Sequence, residues 1–385
     1  MKKFFLALCA LIIITPLVLP ASGLLDNLVY RMAPAPVDAS GKNLAQQLGY
    51  PKDAKLLVVN SDDTGANPTF THGIIDVMAK GLVKSTSIIV HDRNQSELTR
   101  IAKIAKQHPK YGFGIHLMLT NEYQQAYPWA PVLPEETVPS LYNDKGLAWE
   151  KISEVETNVN PDHAALEFIA QIQTALDAGI NVTHLDSHMG TIYRQSSFTG
   201  AKSDGLIMAA IKAAQHFNIP MTINTFDEKL ETNMRYADEH GIIRPDTFFG
   251  FYELEEMNSH LSYEGGAIQK FITAWVVKNT FGFVLPYENQ KLVLDDVKVR
   301  MDMYKQAVVK VAKPGLNHFF MHAASEHKQD GIKIPEGKNH APGTDKVVRL
   351  GDSMVWSSDE MKQHLLDNDI ILINYSQLKA IQQNR

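Results

Sequence analysis

The stretch that most constrains the fold is 56–65, LLVVNSDDTG, where an apolar run ends in two adjacent acids and a small polar turn. A short Val-rich run bounded by a turn signal is typical of a buried strand in a parallel sheet. Folds with such sheets place their chemistry at the carboxyl ends of the strands. Because side chains alternate along a strand, Asp62 and Asp63 point the same way only if the chain bends there. Two carboxylates at one strand end repel each other, so the pair indicates either an ordinary solvated turn or a site for a cation.

Downstream of this strand, segments typical of strands alternate with segments typical of helices. Two Asn-Pro pairs, at 67–68 and 160–161, each predict a helix start with an Asn cap and a first-turn proline, and a glycine ends each pattern. Two less regular segments, 121–158 and 226–287, are expected to be long loop insertions on the catalytic face, and 328–353 is expected to be a further polar loop. The repeated units predict an α/β fold with a parallel sheet, specifically a (β/α) barrel that is TIM-like or slightly deformed.

The N-terminal segment predicts export. Two lysines follow Met1, residues 4–19 are almost wholly apolar, and 20–23 include the small residues that a signal peptidase favours. The apolar run is shorter than the ~20 residues that a spanning helix prefers, so we predict a cleaved signal peptide over 1–23, with an uncleaved membrane anchor as the alternative. Residues 24–50 are then a linker or leader on the surface, and 51–385 are a single barrel domain in the periplasm or outside the cell.

The composition limits the partners and the ligands of any site. The 385-residue chain has a formal net charge of -6 and no long basic run, so we expect no nucleic-acid partner and no membrane contact beyond the N-terminal segment. Its one cysteine, Cys9, lies in the predicted signal peptide. The exported chain therefore has no disulfide, no thiol nucleophile and no Cys-ligated metal, and any metal must be held by His and carboxylate side chains. Nothing in the sequence indicates an oligomeric state.

Histidine and aspartate residues occupy the ends of four predicted strands. They are Asp62 and Asp63, then His116, then the group His184, Asp186 and His188, and finally His322. The carboxyl ends of parallel strands open on one face, so these side chains are expected to converge. His184 and Asp186 share one face of their strand, whereas His188 lies on the loop that follows. His188 is therefore the preferred metal ligand of its group, and the other two are expected to position it, since a ligating imidazole usually passes its other N–H to a carboxylate or carbonyl.

Taken in order, these segments resemble the motifs of the YdjC-like (ChbG/HpnK-type) carbohydrate deacetylases. The similar segments are VNSDDTG at 59–65, GIHLMLT at 114–120, THLDSH at 183–188, FMH at 320–322 and the ending IILINYSQL at 370–378. The resemblance covers about 55–382. It implies a (β/α) barrel and the removal of acetyl groups from N-acetylated sugars with one divalent metal ion.

The resemblance also implies a role for each motif residue. By motif position, Asp63, His116 and His188 bind the metal, Asp62 is the general base, and His322 protonates the leaving amine. Two His and one Asp leave positions open on a divalent ion, as catalytic sites require, and these ligands do not distinguish Zn²⁺ from Mg²⁺, Mn²⁺, Co²⁺ or Ni²⁺. The chain departs from the family at 189–190, where Met-Gly replaces further histidines, and at 323–324, where Ala-Ala replaces Pro-Gly. These departures bear on the substrate and on the role of His322.

Three alternatives compete with this function. A catalytically silent barrel would hold a glycan without cleaving it. The same apparatus would also hydrolyse an O-acetyl ester. The H-x-D step formed by His184 and Asp186, with a distal His, resembles the facial triad of the non-haem iron(II) oxygenases, which usually sits on an all-β scaffold.

Several further side chains are candidates for contact with a sugar. Arg194 would contact a hydroxyl or a carboxylate of the substrate, although an ordinary surface arginine is the simpler expectation. Aromatic residues of the two expected insertions would stack on sugar rings, although packing of the insertions against the barrel is the simpler expectation. These aromatic residues are Tyr123, Tyr127, Trp129, Phe249, Phe251 and Tyr252.

Overall fold

The computed structural model describes residues 37–38, 40–193, 204–223, 230–250, 287–288, 291–292, 297–326, 333–338 and 344–384. The predicted signal peptide, the linker as far as residue 36, Arg194, Phe251 and Tyr252 lie outside these ranges. In the part of the chain that is described, no helix has both the length and the apolar character needed to cross a membrane.

Strands and helices alternate along the described chain, as the sequence pattern predicts. The strands are β1 (Lys55–Thr64), β2 (Ser85–Ile88), β3 (Gly112–Leu117), β4 (Val182–Ser187), β5 (Thr247–Phe249), β6 (Tyr287–Glu288), β7 (Lys291–Leu292), β8 (Gly315–Met321) and β9 (Ile370–Ile373). The helices are α1 (Leu44–Gln47), α2 (Pro68–Ala79), α3 (Gln95–Gln107), α4 (Ile152–Asn158), α5 (Pro161–Asp177), α6 (Asp204–Phe217), α7 (Leu230–Glu239), α8 (Val297–Val311), α9 (Thr344–Val355), α10 (Asp359–Asp367) and α11 (Tyr375–Gln383). Both predicted Asn caps are present: the side chain of Asn67 accepts from Thr69 and Phe70 backbone N–H groups, and that of Asn160 accepts from Asp162.

The main sheet is parallel and has β1 at its centre. Its order is β4–β3–β2–β1–β8–β5, and β9 also pairs with β1. One edge of β1 pairs with β8, while its other edge pairs first with β9 and then with β2. Beyond β4, Leu185 forms a bridge with Met221, whose N–H donates to the carbonyl of Ile243. The α/β fold with a parallel sheet is thus confirmed, and the sheet curls into a half-barrel consistent with a deformed TIM-like barrel.

Both faces of β1 are covered, which explains its continuous apolar run. Leu57 and Val59 belong to the cluster that packs beneath the helices, whereas Leu56 and Val58 belong to a second cluster. This second cluster also contains Leu44 and Ala45 of α1, Leu316, Ile373, Tyr375 and Leu378. The end of the segment expected to be a surface linker is therefore part of the core, because α1 buries its two apolar side chains there.

Helix α9 is the largest difference from the sequence-based expectation. The region 328–353 was expected to be a polar loop, yet Thr344–Val355 is helical. Three of its buried residues, Asp345, Arg349 and Asp352, are charged and follow one another at i, i+4 and i+7, so they lie on one face. Val348 and Val355 are buried beside these charges, so the helix has an apolar stripe, and the polar character of the region as a whole is what favoured the loop prediction.

The segment expected to be an insertion at 121–158 is also more structured than a loop. It contains a short 3₁₀ turn at Pro139–Leu141, and it ends in α4. Tyr123 and Trp129 are buried, and Trp129 stacks on His91 with ring centroids 4.9 Å apart. These two aromatic side chains therefore pack this segment onto the sheet, which was the simpler expectation.

Candidate metal centre

A bulge at the end of β1 brings both acids of the Asp-Asp pair to one place. Asn60 and Asp62 are two residues apart and share a strand face. Asp63 has a φ of 72°, and the register between β1 and β2 shifts between Ser61 and Thr64. A bulge adds a residue to one strand and re-aims its side chain. The chain therefore bends where the sequence required a bend for Asp62 and Asp63 to point the same way.

Three side chains from three different strand ends offer ligand atoms to a common point. Asp63 Oδ1 lies 3.4 Å from His116 Nε2 and 3.2 Å from His188 Nδ1. One atom from each of the three residues lies within 4.8 Å of the others, and all three residues are buried. Asp63 Oδ1 makes no hydrogen bond to any residue that the structure describes. A buried carboxylate oxygen in that state, facing two imidazole nitrogens, is suited to a cation.

A charged group holds the far side of each of these three residues. His116 Nδ1 lies 2.6 Å from Asp186 Oδ1, and His188 Nε2 lies 2.9 Å from Glu122 Oε2. Asp63 Oδ2 accepts a hydrogen bond of 2.7 Å from Arg349 Nη2. A carboxylate on the second nitrogen of a histidine fixes the ring and its tautomer, so the inward-facing nitrogens are left to act as ligands.

These charges determine the protonation of the metal-free site. Burial lowers the pKa of His116, but Asp186 and Asp62 outweigh it and raise that pKa well above its ordinary value. Burial likewise opposes protonation of His188, yet Glu122 and Asp63 raise its pKa to about 9. For Asp63, burial raises the pKa, but the Arg349 guanidinium and the two imidazoles hold it well below its usual range. Both imidazoles therefore hold a proton more tightly than a free histidine does, and a metal ion would have to displace these protons.

Asp62 lies beside this group with different partners. Its Oδ1 accepts from Asn60 Nδ2 at 2.7 Å and from Ser87 Oγ at 3.3 Å. Its Oδ2 is 4.0 Å from His322 Nε2. Burial, with the nearby charge of Asp186, raises the pKa of Asp62 to about 8. Asp62 is therefore a carboxyl group whose affinity for a proton is unusually high.

His322 directly follows the last residue of β8. Its backbone N–H donates to Asp352 Oδ2 on α9 at 2.8 Å. Burial lowers the pKa of its imidazole to about 3. The side chain is therefore neutral in the metal-free protein at pH 7.

His184 is placed inside the sheet rather than in the group of candidate ligands. Its Nε2 lies 3.2 Å from Asn60 Oδ1, and its ring stacks on Tyr375 with centroids 3.8 Å apart. Gly114 makes room for this ring, because a Cβ there would lie 2.4 Å from His184 Cε1. Among the described residues, His184 belongs to neither group of side chains that could hold a metal. It supports Asn60, which in turn holds Asp62.

A model of the YdjC-like protein family matches residues 56–367 of the chain. The chain belongs to this family. The resemblance of the sequence motifs is thereby confirmed over most of the polypeptide, including α9, which the motifs do not touch.

Relatives of this YdjC-like protein include proteins named carbohydrate deacetylase. One from Enterococcus faecalis is 26% identical over 267 residues, which are 66% of this chain and 95% of the relative. One from Thermoanaerobacter pseudethanolicus is 26% identical over 46% of this chain and 63% of the relative. A carbohydrate deacetylase 1 from Listeria innocua is 30% identical over 34% of this chain and 50% of the relative.

One solved structure shares the fold. The crystal structure of a putative cellobiose-phosphate cleavage protein from Enterococcus faecalis aligns with a TM-score of 0.58 and 21% sequence identity. The alignment covers 84% of this chain and 99% of that one. The curled parallel sheet is therefore a fold that this protein shares with a solved relative.

Most candidates named from the sequence meet in this YdjC-like site, but important partners of theirs were missed. Six of the candidates lie together: Asp62, Asp63, His116, Asp186, His188 and His322. His184 lies against Asn60 and Tyr375 instead. Arg194 falls outside the described residues. The missed residues are Asn60, Ser87, Glu122, Arg349 and Asp352. Asn60 could have been found, because it lies two residues before Asp62 on the same strand face. Glu122 carried no signal, since an acid in an irregular segment is usually solvated.

Proposed function

We propose that this protein is a carbohydrate deacetylase that uses one divalent metal ion to hydrolyse the acetyl group of an N-acetylated sugar. The observation that carries the proposal is the convergence of Asp63, His116 and His188, with a buried carboxylate oxygen that accepts no hydrogen bond from any described residue. The deacetylase names of its relatives supply the substrate class.

The residues present fit a divalent ion. The atoms that would hold it are Asp63 Oδ1, His116 Nε2 and His188 Nδ1. Asp63 is bonded on its other oxygen to Arg349, and the second ring nitrogens of His116 and His188 lie against Asp186 and Glu122 respectively. Two imidazoles and one carboxylate form a donor set typical of catalytic Zn²⁺, and one that also accepts other divalent metals. When bound, the ion would polarise the acetyl carbonyl and make a water molecule more acidic.

Asp62 is proposed to take the proton from the attacking water. Asn60 and Ser87 hold its Oδ1, so Oδ2 is the oxygen left for proton transfer. Burial and the nearby charge of Asp186 raise its pKa to about 8 in the metal-free protein, which supports a role in accepting a proton. A cation nearby lowers that pKa and leaves the carboxylate ready to act as a base near neutral pH.

His322 is proposed to deliver a proton to the departing amine. Because its imidazole is neutral at the start, it must receive that proton during the reaction. Asp62 Oδ2, at 4.0 Å from His322 Nε2, is the near source of such a proton. This arrangement would return Asp62 to its charged form after each turnover.

The iron oxygenase alternative has no support in this geometry. It would use His184 and Asp186 as ligands, but His184 lies against Asn60 and Tyr375, and the scaffold is α/β rather than all-β. Glycan binding without cleavage and hydrolysis of an O-acetyl ester use the same site, so they are separated by experiment.

We also propose, from the N-terminal segment, that the chain is exported to the periplasm or beyond.

The decisive experiment measures acetate released from a panel of N-acetylglucosamine oligomers and peptidoglycan fragments, with and without a chelator. We expect release that the chelator abolishes and that added Zn²⁺ or Co²⁺ restores, and none from Asp63→Ala. Release that withstands complete metal removal would refute the metal mechanism. Glycan binding that survives chelation, with no acetate from any substrate, would favour the silent binding protein, and release from O-acetyl esters alone would favour the esterase.

A further inference from the structure

We propose that Arg349 is a positioning residue that keeps Asp63 a one-oxygen ligand, and thereby keeps a coordination position of the metal free for the reaction. This inference rests on the function proposed above. Arg349 lies on α9, outside every motif that the sequence shares with the family, and its Nη2 donates to Asp63 Oδ2 and to Tyr123 OH.

The two oxygens of Asp63 have separate surroundings. Oδ2 accepts from Arg349 Nη2 at 2.7 Å, whereas Oδ1 faces the two imidazole nitrogens. Oδ2 has two lone pairs, so the guanidinium does not block it completely, but a cation bonded to Oδ2 fixes the carboxylate and competes with a second bond from that oxygen to the ion. A second oxygen on the ion would occupy a position that a water or a substrate carbonyl needs. Arg349 therefore acts on the geometry of the ligand set.

Arg349 is itself held on several sides. Its guanidinium carbon lies 3.7 Å from the ring centroid of Phe70, and Nη2 also donates to Tyr123 OH at 2.8 Å. Tyr123 OH in turn donates to Asp345 Oδ1, which lies 3.5 Å from Arg349 Nε. The arginine is only 1% exposed. A planar guanidinium stacked on a ring and fixed by such contacts loses little freedom when it binds a carboxylate, so it can fix the orientation of Asp63.

The charge of Arg349 also argues against a simple role in metal affinity. A cation beside a ligand carboxylate repels a divalent ion and weakens its binding. An arginine placed here would therefore be a disadvantage if the site served only to retain the metal tightly. Its presence is explained if it controls how Asp63 binds the ion. Removal of Arg349 should therefore leave metal affinity unchanged or raise it, while the coordination of the ion changes.

The test uses Co²⁺ as the probe, because its visible absorption weakens as its coordination number rises. In Arg349→Met, Asp63 is free to bind through both oxygens, so we expect weaker Co²⁺ absorption together with unchanged or tighter Co²⁺ binding by calorimetry. We expect kcat for acetate release to fall about 10–100-fold, as for other residues that orient metal ligands. Arg349→Lys keeps the charge and one donor, so we expect it to recover part of the absorption and part of kcat.

Arg244→Met is the matched control, because Arg244 is also a buried arginine paired with a carboxylate, that of Asp238. We expect it to lose stability without any change in the Co²⁺ spectrum. A crystal structure of the Co²⁺-loaded parent protein gives a second measurement that does not depend on any variant folding. It should show Asp63 bound through Oδ1 alone.

Four outcomes would overturn a claim. Both oxygens of Asp63 on the ion in the loaded parent would overturn the role of Arg349. The role of Arg349 would also be overturned if Arg349→Met kept the Co²⁺ absorption and the kcat of the parent protein. It would be overturned too if Arg349→Met bound Co²⁺ more weakly in proportion to its lost stability while its Co²⁺ spectrum stayed unchanged. A parent protein that binds no Co²⁺ would instead overturn the metal site, and with it the proposed function.

Discussion

At the scale of single residues, Asp62 and Asp63 are adjacent in sequence but have different partners. Asn60 and Ser87 hold Asp62, whereas Arg349 and the two imidazoles surround Asp63. The bulge at φ 72° brings them to one strand end, since in a regular strand the two side chains would point to opposite faces. Two like-charged groups can then serve different roles at one strand end.

Replacement of Asp62 by Asn tests that division. The amide has nearly the same size but cannot take a proton, so we expect Asp62→Asn to bind Zn²⁺ normally and to lose about 10²–10⁴-fold in kcat. Acetate release and calorimetric metal titration measure the two effects. Ser87→Ala removes a weaker contact to the same oxygen, and we expect it to lose much less. Full activity in Asp62→Asn would mean that another group is the base.

Protonation of His188 predicts how metal affinity varies with pH. Its pKa of about 9 lies above the ordinary value because Glu122 and Asp63 outweigh burial. A metal must displace that proton and also the one on His116, whose pKa is raised as well, so we expect affinity to rise by more than tenfold per pH unit through neutral pH and less steeply above about 9. Competition with a chelating dye measures it. Glu122→Gln should shift the rise to lower pH, and an affinity independent of pH would contradict the proposed ligand set.

The raised pKa of His188 makes metal affinity rise with pH, but it makes the stability of the metal-free protein fall with pH. The folded state holds the proton of His188 more tightly than the unfolded state does. The resulting stabilisation is fully present below about pH 6.5 and is lost as the pH rises through about 9. Asp62 acts in the same direction, because its pKa is raised from 3.8 to about 8 and its buried charged form is unfavourable. Below about pH 6.5 this trend is opposed by His318 and His322, whose pKa values burial lowers to about 3. Urea unfolding in the presence of a chelator should therefore show stability that declines between about pH 6.5 and 9.

At the scale of elements, the close packing of β3 against β4 depends on a glycine. A Cβ at Gly114 would meet the ring of His184, which supports Asn60 and through it Asp62. We expect Gly114→Ala to cost about 1–3 kcal/mol of stability, as overpacking usually does, and to lower kcat. Urea unfolding and acetate release measure these effects.

A matched glycine provides the control for that prediction. Gly146 has a φ of +69°, and a Cβ added there would meet nothing within 4 Å, so Ala at this position adds backbone strain alone. Gly146→Ala should lose some stability but keep its kcat. Combining Gly114→Ala with His184→Ala should cost less than the sum of the two, because the clash is then removed. Strict additivity would show that the ring is not what Gly114 accommodates.

The elements also show what the sequence alone could predict. Strand ends carrying Asp or His were identifiable, because polar residues that follow apolar runs stand out and parallel strands bring them together. Helix α9 was missed because the region 328–353 is polar overall, and because charged residues such as Asp345, Arg349 and Asp352 are usually exposed rather than buried beside Val348 and Val355. Glu122 was missed because its partner, His188, is 66 residues away and no local pattern links them. The candidate metal-coordinating residues were thus easier to predict than the residues that hold their side chains in place.

At the scale of the whole molecule, the candidate ligands join strands that are distant in sequence. Asp63 ends β1, His116 lies in β3 and His188 follows β4, so one ion would connect three of the strands of the sheet. A metal that binds the folded state alone must therefore stabilise the entire fold.

Metal addition is accordingly expected to raise the thermal unfolding temperature of the whole protein. At a free Zn²⁺ concentration about 100 times the dissociation constant, mass action supplies about 2.7 kcal/mol, which is a shift of several degrees. Differential scanning calorimetry measures the shift, and a chelator should reverse it. Asp63→Ala should unfold at one temperature with or without Zn²⁺, whereas Asp62→Asn should respond as the parent does, since Asp62 is not a ligand. An equal shift in Asp63→Ala would exclude Asp63 as a ligand and point to the neighbouring group of Asp62, His116 and Asp186, which could also hold a metal at the ends of β1, β3 and β4.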